Sequence, residues 1–259
     1  MTYLMDFEIE DSGFRDRFIH LPDIIADWVS QYLNLSKSNI LDFGCGQGLT
    51  ALGFALRYGV QSVSGVDIMP EANECLAVAS PTLNISSLPD NLLLRQILPG
   101  EDIFPDKNFD LIYSWSAFEH IEQTLLDRIL TNLHEKLRRG GLLFIQIAPL
   151  YFSSEGSHLF HRIPKPWGHL TTQQSIYFDQ LCKACESKEE TQSLWSCYET
   201  LNKLTIPELR RTLLRNHFEI IREYSTEDPH IADLPANLLE IYRPETLATN
   251  QKIFLARKN

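Results

Sequence analysis

The chain has 259 residues, 44% of them hydrophobic and 22% charged, with a formal net charge of -11. A chain of this length buries about three quarters of its unfolded surface, so it needs no disulfide framework, and its five cysteines are too few to build one. The acidic balance, the absence of a long Lys/Arg run and of any apolar stretch of membrane-spanning length, and a polar start unlike a secretory leader point to a cytoplasmic protein without a nucleic-acid or membrane partner.

Phe14 to Leu33 repeats apolar residues at helical spacing, and Pro22 inside the run predicts a helix starting near it, so residues 1–38 read as an N-terminal helical segment. Asn39 to Phe43 is a predicted strand, Ala51 to Tyr58 a helix, and Gly59 its stop. Strands follow at Ser62 to Val66, Leu92 to Leu98 and Phe109 to Ser114, with a helix over Glu71 to Ala79 and a turn-rich loop over Pro99 to Lys107. Leu126, Leu130, Leu133 and Leu137 mark a helix that Gly140 and Gly141 stop, before a fifth strand at Leu142 to Ala148. Residues 39–149 thus alternate strand and helix, which implies a parallel sheet covered on both faces.

The alternation stops in residues 150–204, a loop followed by helices at Gln174 to Ala184 and Glu190 to Leu201, which read as an insertion over the carboxyl ends of the strands. Cys182 and Cys185 have C-x-x-C spacing there, but with Cys197 alone nearby they read as thiols in a reducing compartment rather than zinc ligands. Order returns in residues 205–259: Thr205 with Glu208 forms a capping box, and strands are predicted at Phe218 to Tyr224 and Lys252 to Lys258.

Ile40 to Gly48 reads I-L-D-F-G-C-G-Q-G: an apolar run, an acid, and three glycines at alternate positions opening onto a helix. Glycine adopts positive φ without penalty and lets a ligand touch the backbone, so this is the turn of a mononucleotide-binding half. The third glycine of the dinucleotide fingerprint would fall at Leu49, so the pattern is G-x-G-x-G instead. The second strand ends in Asp67, about twenty residues past the glycines, where an acid accepts hydrogen bonds from ribose hydroxyls. With F-P-D-K-N-F-D-L-I-Y-S-W-S-A-F-E-H (Phe104 to His120) and L-R-R-G-G-L-L-F-I (Leu137 to Ile145), the chain resembles the class I S-adenosylmethionine-dependent methyltransferases from Asn39 to Pro149, and more weakly from Thr205 onward.

That resemblance implies S-adenosylmethionine as cofactor. It places Gly44, Cys45 and Gly46 under the amino-acid end, Asp42 near the ammonium group, and Asp67 with its neighbour Ile68 at the ribose. The family's usual adenine-binding acid would fall near Leu98, so Glu101, with Asp102 as its rival, is expected to serve from a shifted loop. Ser114 and Trp115, with Ser116, end the fourth strand near the methyl-bearing sulfur. Of the two early arginines, Arg15 and Arg17, the second is expected to pair with the methionine carboxylate. His120 belongs to an E-H pair shared by many small-molecule members and is assigned to the acceptor side. His158, His161 and His169 crowd the insertion with Tyr151, Arg162, Lys165 and Trp167. Because histidine titrates near neutral pH, His120, His158 and His161 are the candidate bases. Arg162 is a candidate clamp for an anionic group, and Trp115, Tyr151, Arg162 and Trp167 complete the expected acceptor site.

The expected fold is α/β: a Rossmann-like seven-stranded, mostly parallel sheet with its last strand antiparallel, helices on both faces, and an inserted helical cap. The expected reaction is methyl transfer to a small molecule at oxygen or nitrogen. The rivals are a metal-dependent RNA or nucleotide 2′-O-methyltransferase, a non-catalytic cofactor-binding scaffold, and a nicotinamide dehydrogenase. The metal rival would use Glu119, His120, Glu122 and His158, but Ser116 stands where its first glutamate belongs, and no metal is assigned.

Overall fold

The computed structural model describes residues 9–104 and 108–259. The chain enters through α1 (Ser12–Arg15), a π turn over Asp16–His20 and α2 (Leu21–Val29). Then come β1 (Asn39–Phe43), α3 (Leu49–Arg57), β2 (Ser62–Asp67), α4 (Cys75–Leu83), β3 (Leu92–Gln96) and β4 (Phe109–Trp115). Next are α5 (Gln123–Lys136), β5 (Leu137–Ile147), α6 (Gly168–Thr171), α7 (Gln174–Ala184), α8 (Lys188–Thr200), α9 (Ile206–Arg215), β6 (Phe218–Glu227), α10 (Pro244–Leu247) and β7 (Thr249–Lys258). The strands form one seven-stranded sheet in the order β3-β2-β1-β4-β5-β7-β6, with β7 antiparallel to both its neighbours. This is the Rossmann-like architecture expected from the alternation of elements. The order reverses at β1 and β4, which pair in parallel, so the crevice above their carboxyl ends is where a ligand belongs.

Alternation along each strand sends side chains to two cores. Ile40, Leu111 and Phe144 pack against the N-terminal helices, α3 and α4, while Leu41, Ile112 and Leu143 pack against α5 and α9. The N-terminal segment docks closely on α3. A Cβ on Gly53 would lie 2.2 Å from the Phe18 carbonyl oxygen, so only glycine allows this approach. The buried Arg57 guanidinium donates to the carbonyls of Phe18 and Ile19, at 3.4 and 3.1 Å, and pairs with Asp23 at 2.8 Å. It thereby satisfies backbone oxygens at the π turn.

The structure shifts several boundaries: α4 starts at Cys75 rather than Glu71, β3 stops at Gln96, β6 runs on to Glu227, and the junction of α5 with β5 differs most. Helix α5 ends at Lys136, and Gly140 and Gly141 lie inside β5 rather than stopping the helix. Phe109 pairs with Leu137 and Leu111 with Leu142, so the intervening residues of β5 loop out, and Gly140 takes a φ of +76° there. Arg138 on this bulge pairs with Asp110 at 2.9 Å, and the same carboxylate accepts from the Asn39 amide at 2.8 Å. The Phe-Asp pair therefore clamps three strands. Thr205 caps α9 as expected, its amide donating to Glu208 Oε2 at 2.9 Å.

The inserted segment carries its own apolar cluster, which includes Leu159, Tyr177, Leu181 and Tyr198. Its loop is fastened to the chain between β6 and β7: Asp228 accepts from the Ser154 amide at 2.7 Å, and Trp167 packs with Leu238 and Leu247. Among the described residues, no helix is long and apolar enough to cross a membrane.

Candidate active site

The turn from β1 to α3 is set by glycine. Gly44 (φ +82°) and Gly46 (φ +50°) adopt a conformation that L side chains rarely take. A Cβ on Gly44 would collide with Ala117 at 2.4 Å, whereas one on Gly46 would meet nothing within 4 Å. Gly44 lets the turn pack under the β4 loop, and Gly46 faces open space. The amides of Gly44 and Cys45 donate to Val66 at 2.9 and 3.0 Å, tying the turn to the end of β2.

Asp67 is locked into that arrangement. Its Oδ2 accepts from the Gly46 amide at 2.8 Å and its Oδ1 from the Met69 amide at 2.9 Å. A carboxylate oxygen has about two acceptor sites, so each retains one for a ligand hydroxyl. Asp42 stands beside Tyr113 in the register of β1 and β4. It is buried, and its Oδ2 has no hydrogen-bond partner. Burial pushes its pKa up to about 7; the Tyr113 hydroxyl, which makes no well-aligned hydrogen bond, opposes the rise, and the Asp67 charge adds to it. An orphaned buried carboxyl is costly and calls for a donor from a ligand. Tyr113 is one of the lining residues that sequence reading passed over, with Met69, Ile97 and Leu125 among the others; its signal was pairing opposite Asp42, which no linear motif displays.

These residues line a cavity of about 850 Å³ above the switch in strand order. Arg17, with Asp16 and Leu21 of the N-terminal segment, closes one side. Cys45, Ile68 and Met69 line it near Asp67. Trp115, Ser116, His120, Glu122 and Leu125 form the opposite end. Burial and the neighbouring His158 push the His120 pKa down to about 4, so its ring is neutral at physiological pH.

A family model described as a methyltransferase domain matches residues 17–222. The chain belongs to that methyltransferase family. It is 26% identical over 140 residues to the mitochondrial ubiquinone biosynthesis O-methyltransferase of Candida albicans, a match covering 52% of this chain and 41% of that protein. The chain spans about half or less of the curated relatives it matches first. Its fold is shared with magnesium protoporphyrin IX methyltransferase from Synechocystis solved with bound S-adenosylhomocysteine (TM-score 0.56, 16% identity, 93% of this chain and 82% of that one). It is also shared with the [4+2]-cyclase SpnF (TM-score 0.56, 14% identity, 98% and 87% covered).

The residues present fit S-adenosylmethionine, the cofactor that the sequence resemblance implies. Gly46 leaves space for a ligand, Asp67 has acceptor sites for ribose hydroxyls, and the unpartnered Asp42 oxygen suits the ammonium group. Arg17 stands on the same cavity for the carboxylate. The group supplies, when bound, an electrophilic methyl on a sulfonium, so the chain's own work is to bind, orient and exclude water.

The remaining expected residues lie elsewhere. Glu101 pairs with Arg95 at 2.6 Å and accepts from the Leu98 amide at 2.8 Å, closing its own loop away from the cavity. Asp102 pairs with Lys136 at 3.0 Å. Ser114 is fully buried behind the turn, its hydroxyl without a partner. Arg15 donates to the Ile9 carbonyl at 3.3 Å. The insertion does not wall the cavity. Trp167 is wholly buried and donates to the Phe152 carbonyl at 3.1 Å, and Tyr151 stacks on Tyr198 in the insertion core. Arg162 pairs with Glu190, Lys165 donates to Thr172 at 3.0 Å, and His169 is buried against the Tyr151 carbonyl at 2.6 Å. His161 is exposed and off the cavity. These aromatics and charges serve the insertion's own packing, and so the expected acceptor site loses Tyr151, Arg162 and Trp167.

Of these residues, His158 alone meets a side chain that lines the cavity, that of His120. Its ring meets that of His120 edge-on, with centroids 5.4 Å apart, and Cys197 of α8 joins them, the nearest donor atoms of the three lying within 4.8 Å of one another. Glu119 turns inward instead, both carboxyl oxygens buried and unpartnered, and burial raises its pKa to about 8. The ligand set of the metal-dependent rival is thus not assembled as written: His120 and His158 come together, while Glu122 accepts from Thr124 at 2.6 Å and lines the cavity.

Proposed function

We propose that this methyltransferase transfers a methyl group to a small-molecule acceptor at oxygen or nitrogen. The observation that carries the reading is the single cavity running from Gly46 and Asp67 to Trp115, His120 and Glu122, whose volume falls in the range of small-ligand sites and leaves its far end for an acceptor. That end joins apolar surface from Trp115 and Leu125 to polar points at Ser116, His120 and Glu122, suited to a compact acceptor with one or two polar groups. Such a wall orients the nucleophile toward the methyl group, and closure by Asp16, Arg17 and Leu21 excludes water.

A second reading is a non-catalytic cofactor-binding scaffold, which would use only the Gly46 and Asp67 end of the cavity. The test is a panel of small phenols, carboxylic acids and amines incubated with the full chain and S-adenosylmethionine, with S-adenosylhomocysteine formation measured. Turnover on one class, lost in Trp115→Ala with cofactor affinity retained, supports the first reading. Tight cofactor binding with no turnover on any class supports the second.

A further inference from the structure

The seam between the catalytic core and the insertion holds three metal-competent side chains from three separate segments. His120 ends the short turn after β4, His158 lies in the loop after β5, and Cys197 lies on α8. Their positions in the chain share no motif, and all three are half-buried. We propose that His120, His158 and Cys197 form a zinc site at the rim of the cavity.

The hydrogen bonds around the two imidazoles leave one nitrogen of each for a metal. His158 Nε2 faces the Pro149 carbonyl at 3.1 Å, and a carbonyl only accepts, so Nε2 carries the proton and Nδ1 the lone pair. Thr200 Oγ1 donates its one proton to the Cys197 carbonyl at 2.7 Å, so the 2.8 Å contact with His120 Nδ1 is donated by the ring. His120 Nε2 therefore carries the other lone pair. Both rings thus have the outer hydrogen bond that fixes the tautomer of a metal-ligating histidine. His158 takes a φ of +61°, uncommon for a non-glycine residue.

The chemistry of the set selects the ion. Two imidazoles and a thiolate suit zinc, with Zn–N of about 2.1 Å and Zn–S of about 2.3 Å. Those bond lengths put tetrahedral donors about 3.5 Å apart, so the present spread closes by roughly 1 Å, within reach of small side-chain rotations. Three protein ligands would leave a fourth position for water or an acceptor atom, and one of the three, His120, also lines the cavity. A zinc there fastens the insertion to the core and presents a Lewis acid to an acceptor hydroxyl or thiol, lowering its pKa. Zinc binding does not depend on which acceptor is methylated, so failure of the acceptor panel leaves it standing.

The test uses the full chain, equilibrated with zinc and dialysed into metal-free buffer, with bound metal counted by mass spectrometry. A cobalt-exchanged sample is read for the thiolate-to-cobalt charge-transfer band. The expected result is one zinc per chain and a clear band. Both should fall at least tenfold in Cys197→Ala and in His158→Gln and persist in Cys182→Ala, with S-adenosylhomocysteine affinity unchanged in all three. A chain that retains no zinc, or zinc and a band that survive Cys197→Ala and His158→Gln, overturns the proposal. If Cys197→Ala does not fold, His158→Gln decides the question in the same assay.

Discussion

Gly53→Ala tests whether the N-terminal segment closes the cofactor cavity. At an open helical site the change would stabilise by about 1 kcal/mol through helix propensity. In α3 the added methyl would lie 2.2 Å from the Phe18 carbonyl oxygen and 2.8 Å from Pro22 Cγ. The nearer atom is backbone, so no rotamer change relieves the contact, and the segment must retreat by roughly 1 Å or more to reach ordinary separation. Overpacking of this kind costs up to about 3 kcal/mol, which leaves a net loss of about 2 kcal/mol after the propensity gain. For a chain of this size that corresponds to a fall in Tm of about 4–8 °C. The retreat moves Asp16, Arg17 and Leu21 off the cavity, so S-adenosylhomocysteine should bind at least threefold more weakly. Circular dichroism melts and calorimetric titration read the two effects. A Tm equal to or above that of the parent chain would refute the reasoning, because propensity would then have won over contact.

Asp67→Ala should weaken S-adenosylhomocysteine binding at least tenfold, about 1.4 kcal/mol, by calorimetry; an unchanged affinity would remove Asp67 from the ribose site. Asp42 carries a pH signature. Its carboxyl ionises near 3.8 in the unfolded chain and near 7 in the fold, so the folded state holds the extra proton between these values. Its contribution therefore makes stability fall as pH rises from about 4 to 7 and level off above, and Asp42→Asn should flatten that part of the profile in denaturant melts. Pairing with the cofactor's ammonium favours the ionised form, so cofactor affinity should rise toward pH 7 with release of a proton, detectable as a buffer-dependent binding enthalpy and absent in Asp42→Asn. Trp167→Ala should cost about 3–5 kcal/mol of stability, as for any large buried aromatic, yet leave cofactor affinity unchanged. A folded variant with a changed KM for a responsive acceptor would return Trp167 to the acceptor site.

The parallel strands β1 to β4 were legible because each is a short run rich in apolar residues and bounded by turn residues, and Asp42, Gly44, Gly46 and Asp67 were legible because spacing along the chain mirrors their spacing in the fold. The bulge in β5 was not. Gly140 and Gly141 follow a helical repeat and read as its stop, while the pairing of Phe109 with Leu137 that draws them into a strand is a long-range fact. In the insertion, residue type carried no direction. Tyr151, Arg162 and Trp167 have the chemistry of a binding site, but each is used up by a neighbour (Tyr198, Glu190 and the Phe152 carbonyl). Of the histidines there, His158 meets the ring of His120 through a pairing distant in sequence, which composition does not announce.

The two excursions from the sheet, one after β5 and one between β6 and β7, are stapled by Asp228 and share the pocket that swallows Trp167. They are a single mechanical part cut from two places in the chain. Transplanting either one into a homologous scaffold would strand an indole and a carboxylate without hosts. A chimera should therefore exchange both together, and insertions tolerated in one should be matched by adjustments in the other.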